Sequence, residues 1–269
     1  MTARPLIEAE NLNRTFQRGG WLSRRASVVA VRDATFHVAK GETLAIVGES
    51  GSGKSTVARM LVGLDRPTGG AIRLEGEDLS TLTARDRRML GRRIQYVFQD
   101  PVASLNPRHR IGEILGGTLM RLAGMSDRAA RRARMEELLH HVGLAAETLD
   151  RYPHEFSGGQ AQRIAIARAL AAEARIIVLD EPVSALDVSV QAQVLLLLDR
   201  LKAEFDLTYV FISHDLAVVE AISDRVMVMQ GGEIVESGPA GSLFAAPQAA
   251  YTRSLLASAP RLDRALETL

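Results

Sequence analysis

No cysteine occurs in the 269 residues. Disulfides, thiolate metal sites and thiol catalysis are excluded, and the composition fits a reducing compartment. Long apolar runs are missing too. The longest, such as VLLLL at 194–198, fall far short of the roughly 18 residues of a membrane-spanning helix. The opening MTARPLIEAE lacks the apolar core of a signal peptide, so we expect any membrane role to depend on a partner. Net charge is close to nil, at +1, and no global field points to nucleic acid or to an anionic bilayer. Lysine is scarce: Lys40, Lys54 and Lys202 are the only ones among 33 basic residues. A lysine inside a motif is therefore not there through abundance.

What is present is ordinary globular material, 46% hydrophobic and 24% charged, long enough for one large domain or two subdomains. Residues 6–16 and 28–38 alternate apolar and polar and predict antiparallel strands around a polar loop. ETLAIVGESGSGKSTVARMLVGL predicts strand, glycine loop, helix, and AIRLEGEDL a further strand and turn. A strand is expected at 94–98, then helices from about 104 to 172, with Ser126 as an N-cap and Gly143 as a helix stop. RIIVLDEP and TYVFISHD are short continuous apolar runs of the kind buried parallel strands show, joined by the crossover helix VQAQVLLLLDRLKAEF. RVMVMQGGEIVESG predicts a hairpin, and the residues after about 260 a loosely held tail.

GESGSGKS, Gly48 to Ser55, fits G-x-x-x-x-G-K-[ST] and sits between a strand and a helix, the context that gives the motif its meaning. Gly48, Gly51 and Gly53 let backbone N–H groups of the loop, with Glu49, Ser50 and Ser52 between them, turn toward phosphate oxygens. Lys54 supplies a point charge to the β- and γ-phosphates, and Ser55, followed by Thr56, offers a hydroxyl to Mg²⁺. RIIVLDEP delivers Asp180 and Glu181 to the end of a buried strand: Asp180 reads as a Mg²⁺-side carboxylate, Glu181 as the group polarising the attacking water. Gln99 and His214 also fall at strand ends. Either alone is more often a structural polar residue; together with the two acids they mark the edge where open α/β sheets bind ligands. There Gln99 would touch Mg²⁺ or water and His214 the γ-phosphate.

A second anion site is present. FSGGQAQRIAIARAL puts Ser157, Gly158, Gly159 and Gln160 at the mouth of a long helix, where unpaired N–H groups and a partial positive charge gather. It has no lysine or carboxylate of its own and cannot run hydrolysis alone.

The ordered set — the loop at 48–55, Gln99, SGGQ at 157–160, VLDEP at 178–182, SALD at 184–187 and His214 — resembles the ATP-binding subunits of ABC transporters over nearly the whole chain. The resemblance implies an α/β fold of the P-loop NTPase class, ABC ATPase type: a parallel core sheet, an antiparallel β-subdomain and an inserted helical subdomain. The expected layout is a cassette over 1–250, helical from about 100 to 172, with a tail at 251–269. It implies ATP and Mg²⁺ as cofactors and a head-to-tail pair, in which Ser157 and Gly159 serve the γ-phosphate held by a partner subunit and Asp187 lies at the seam. Phe16 falls where the family stacks an aromatic, usually Tyr, on adenine. Ala161 departs from the charged or polar residue often found there.

QDPVASLNPRHRIGEIL after Gln99 and PQAAYTRSLLASAP at 247–260 resemble the branch serving dipeptide and oligopeptide importers and relatives for nickel chelates, glutathione and opines. That branch implies a second, possibly different, ATPase subunit, two transmembrane permease subunits, an extracytoplasmic solute-binding protein, no nucleic acid, and a peripheral place on the cytoplasmic face of the inner membrane. The alternatives are a soluble subunit of a phosphonate-cleaving complex and a DNA-maintenance ABC ATPase. The segment with Ser104, Leu105 and Asn106 is expected to receive a membrane-subunit helix, Leu105 giving apolar contact and Arg108 and Arg110 the rim. The arginines at 85, 87, 88, 92, 93, 128, 131, 132 and 134 read either as a solvated helix face or as a surface for lipid headgroups or the membrane subunit.

Overall fold

The computed structural model describes residues 5–18, 26–83, 86 and 89–258. Arg85, Arg87 and Arg88, the loop at 19–25 and the tail after 258 lie outside them. The chain divides into two compact units, Met1–Thr83 with Tyr209–Leu269, and Ala84–Thr208.

In the first unit, β1 (Ile7–Arg18) pairs antiparallel with β2 (Ala26–Val38). After β3 (Thr43–Val47) comes α1 (Lys54–Leu61); β4 (Gly69–Leu74) then pairs with β1, and β5 (Glu77–Asp78) with β4. The second unit begins with β6 (Ile94–Val97) and a single turn, α2 (Pro101–Ser104). It continues through α3 (Ile111–Arg121), α4 (Arg128–His141) and α5 (Gly158–Leu170) to β7 (Ile176–Asp180) and α6 (Val188–Phe205). The chain re-enters the first unit along β8 (Thr208–Ile212). It ends with α7 (Leu216–Ile222), β9 (Arg225–Gln230), β10 (Glu233–Pro239), α8 (Ala240–Ala245) and α9 (Ala250–Ser258).

Every residue of β3, β7 and β8 is buried. Strands covered on both faces have no polar side to show, which is why these segments read as unbroken apolar runs. In the first unit the order is β10-β9-β3-β8, with β3 parallel to both β9 and β8 and β10 closing the edge antiparallel. In the second, β6 and β7 run parallel, Tyr96 opposite Val178. One cap moves from its expected place: α4 is capped by Asp127, whose carboxylate accepts from Ala130 N–H at 2.7 Å, not by Ser126. Gly143 follows α4 with φ +71, as a helix stop requires.

Candidate functional site

The first unit carries the phosphate loop. β3 runs buried to Val47 and the chain turns sharply before α1. Two glycines have no substitute here. A Cβ on Gly48, at φ +147, would lie 2.1 Å from Met229 O; on Gly53, at φ +106, 2.4 Å from Ala30 O. The neighbouring strands thus fill the space behind the loop, and its backbone is free to face outward. Lys54 is buried at 5% exposure, and its ammonium donates to Gly48 O at 2.7 Å and Glu49 O at 2.8 Å, with Ser52 Oγ at 3.4 Å. Ser50 and Gly51 are exposed at the loop tip, while Ser55 and Thr56 are half-buried in the first turn of α1. β8 lies beside β3 in parallel, and Ser213 N–H reaches Ile46 O at 3.3 Å. Exposed His214 therefore leaves β8 at the same sheet edge at which the loop leaves β3. Phe16 stands half-buried on β1 with the Arg14 guanidinium 4.3 Å from its ring centroid.

The second unit carries the acids. Asp180 ends β7 at 7% exposure, and Tyr96 Oη from β6 donates to its Oδ2 at 2.5 Å. A buried carboxylate oxygen left without such a donor would be costly. Glu181 is next and takes φ +47, a region L-residues adopt reluctantly. Its carbonyl is held by Ser184, N–H at 3.3 Å and Oγ at 3.1 Å. Gln99 donates through Nε2 to Glu181 Oε2 at 3.0 Å. The two polar groups that close β6 and β7 thus meet.

The same unit carries the SGGQ segment at 157–160. Ser157 caps α5 in a reciprocal box: its Oγ accepts from Gln160 N–H at 3.4 Å, and its own N–H donates to Gln160 Oε1 at 3.1 Å. Ser157, Gly158 and Gln160 are exposed; Gly159 is buried. A Cβ on Gly159 would lie 2.5 Å from Val190 Cγ1, so this glycine is also what lets α5 and α6 approach. Asp187 caps α6, accepting from Val190 N–H at 3.0 Å.

Residues 31–184 match the sequence model of the family described as ABC transporter. The chain belongs to the ABC transporter family. The dipeptide transport ATP-binding protein DppF of Escherichia coli is 46% identical over 260 residues, spanning 96% of this chain and 78% of its own. The di/tripeptide transport ATP-binding protein DppF of Pseudomonas aeruginosa is 45% identical over 262 residues, 97% of this chain and 79% of its own. The dimeric ATP-binding cassette MJ0796, solved in a post-hydrolysis state with ADP and Pi, superposes with TM-score 0.77 at 29% identity, covering 87% of this chain and 98% of that one. The fold is that of a P-loop ABC ATPase, and the chain is an ATP-hydrolysing subunit of its family. Among the described residues no helix is long and apolar enough to cross a membrane.

Several readings of this ABC subunit change with the structure. Leu105 is 1% exposed and cannot offer a docking contact. It packs inside its unit, where Arg168 Nη1 holds the neighbouring Ser104 O at 2.8 Å. The apolar side chains this stretch does expose are Phe98 and Val102, each at 37%. Three arginines of α4 have local partners: Arg131 with Met125 O and Ser126 O, Arg132 with Glu136 at 2.6 Å, Arg134 with Glu137 at 2.8 Å. Ala161 is fully buried, which leaves no room for a charged residue. Tyr96 escaped the sequence reading. A tyrosine inside an apolar strand must find its hydroxyl a partner, and the acid ending the next buried run was the available one.

Proposed function

We propose that this chain is the ATP-hydrolysing subunit of an importer for dipeptides, oligopeptides or related small solutes. It would work at the cytoplasmic face of the cell membrane beneath two permease subunits fed by a solute-binding protein. The observation that supports it most is the near-full-length likeness to the two dipeptide-type transport ATP-binding proteins, reinforced by the 247–260 motif, whose residues 250–258 form α9.

The residues suit a magnesium nucleotide. The loop presents backbone where no Cβ fits, Lys54 brings the cation, and Ser55 brings a hydroxyl. Bound Mg²⁺ would neutralise phosphate charge; it is ordinarily held by one or two carboxylates with waters and phosphate oxygens, and Asp180 is the carboxylate we assign, with Gln99 beside it. Glu181 is the general base for the attacking water: Gln99 orients its carboxylate, and the turn at Ser184 orients its backbone. His214 would donate to the γ-phosphate, and Phe16 would stack on adenine. Ser157, Gly158, Gly159 and Gln160 serve the nucleotide bound by the partner subunit, and Asp187 lies at that seam. Substrate choice lies with the membrane and binding subunits.

Affinity purification of the tagged full chain from detergent-solubilised membranes tests this reading. Recovery of two permease subunits with a second ATPase chain is the expected result. Recovery of a complex of soluble enzymes instead would overturn it.

A further inference from the structure

The motif at 247–260 identifies a branch of the family but has no task in the ATPase reading. Its placement supplies one. Glu236 of β10 accepts from Gln248 N–H at 2.8 Å and Ala249 N–H at 3.0 Å, one carboxylate oxygen to each. Arg253 ties the helix start to the carbonyls of Gln248 at 2.7 Å and Pro247 at 3.2 Å. So anchored, α9 lays Tyr251, Leu255 and Leu256 on a buried cluster that includes Ala45 and Val47 of β3, the strand that feeds the phosphate loop. The Tyr251 hydroxyl then reaches the loop itself and accepts from Glu49 N–H at 3.1 Å.

The geometry of one peptide group gives that contact its meaning. Glu49 N–H and Gly48 C=O belong to the same amide plane. Tyr251 holds the N–H; Lys54 Nζ holds the C=O at 2.7 Å. Gly48 adopts a backbone open to few residues but glycine, so no Cβ restrains this plane and its orientation is left to its hydrogen bonds. Hydrogen bonds at both ends of one amide polarise each other and oppose its rotation.

We propose that Tyr251 is a positioning residue for the phosphate loop: the C-terminal segment fixes the Gly48–Glu49 peptide and so sets the lysine and the loop amides for a nucleotide's phosphates. The proposal rests on the ATPase reading. Glu49 is exposed, so water replaces a lost hydroxyl in part, and the effect is that of one net hydrogen bond, about three- to tenfold in affinity. Because Tyr251 touches neither Glu181 nor the attacking water, binding changes and the chemical step does not.

The test is Tyr251→Phe in the full chain, which keeps the ring on its cluster and removes only the oxygen. Expected are Kd values for ATP and ADP raised about three- to tenfold, KM raised in parallel, kcat nearly unchanged, and faster hydrogen exchange at the Glu49 amide. Glu236→Ala, which frees the helix start, should act in the same direction, and the double variant should lose less than the product of the two singles. A wild-type chain that fails to bind ATP overturns the ATPase reading and the proposal with it. Wild-type binding with an unchanged Kd in Tyr251→Phe overturns the clamp alone. A lowered melting temperature with unchanged Kd and unchanged Glu49 exchange likewise reduces Tyr251 to a packing residue.

Discussion

Replacing Gly159 by alanine separates two reasons for a glycine in SGGQ. The added Cβ would lie 2.5 Å from Val190 Cγ1, where carbon atoms ordinarily stand about 3.5–4.0 Å apart. Val190 has little freedom to turn away, because a β-branched residue in a helix keeps one χ1 rotamer. The two helices must therefore separate by about 1 Å, or the valine must leave its rotamer; overpacking of this kind costs about 1–3 kcal/mol. Alanine's better helix propensity returns at most about 1 kcal/mol, and less in the first turn. The expected net loss is about 1–2 kcal/mol, read as a lower urea midpoint by far-UV circular dichroism on the nucleotide-free chain. Val190→Ala removes Cγ1 and should make Gly159→Ala neutral or better. If Gly159→Ala costs as much in the Val190→Ala background as in the wild type, close approach is not why the glycine is there. Stability restored with turnover still lost would assign Gly159 to the phosphate as well.

Glu181→Gln should leave ATP binding intact, lower hydrolysis by about 10²–10⁴ and accumulate an ATP-bound pair on gel filtration; near-normal turnover removes Glu181 from the base role. Tyr96→Phe keeps the ring beside Phe98, 4.6 Å between centroids, but strips Asp180 of a donor. A cost of about 1.5–3 kcal/mol is expected for a hydrogen bond to a charged group, and an unchanged urea midpoint would refute it. Ser157→Arg should spare ATP binding by the isolated subunit and abolish hydrolysis in the assembled pair. Loss of binding in the isolated subunit would mean the site acts in cis.

Much of what depends on local pattern was legible in the sequence. The loop at 48–55, the buried runs that become β3, β7 and β8, and the glycine stop at 143 each follow from spacing and composition over a few residues. Contacts between distant segments were not legible. No pattern near Tyr251 announces Glu49, and none near Gly159 announces Val190. Leu105 misled because an apolar residue in a polar loop reads the same whether it faces out or in; only packing around Arg168 and Ser104 decides it. Asp127 displaced Ser126 as a cap for a smaller reason, since both side chains suit the position and the helix begins one residue later than the first of them would set it. For Gln99 and Glu181, the two strand ends could be read separately, but the 3.0 Å contact between the side chains needed β6 and β7 to be neighbours.

The left-handed backbone at Glu181 sets local strain against the proposed base role at a single position. An L-residue in that conformation costs about 1–2 kcal/mol that glycine does not incur. Glu181→Gly would relieve that strain, but it would give up the 3.0 Å contact with Gln99 and add freedom to the unfolded chain, and on the proposed assignment it would also remove the general base. The carboxylate thus sits on a backbone that glycine would adopt more readily, held there by the Gln99 contact and the turn at Ser184.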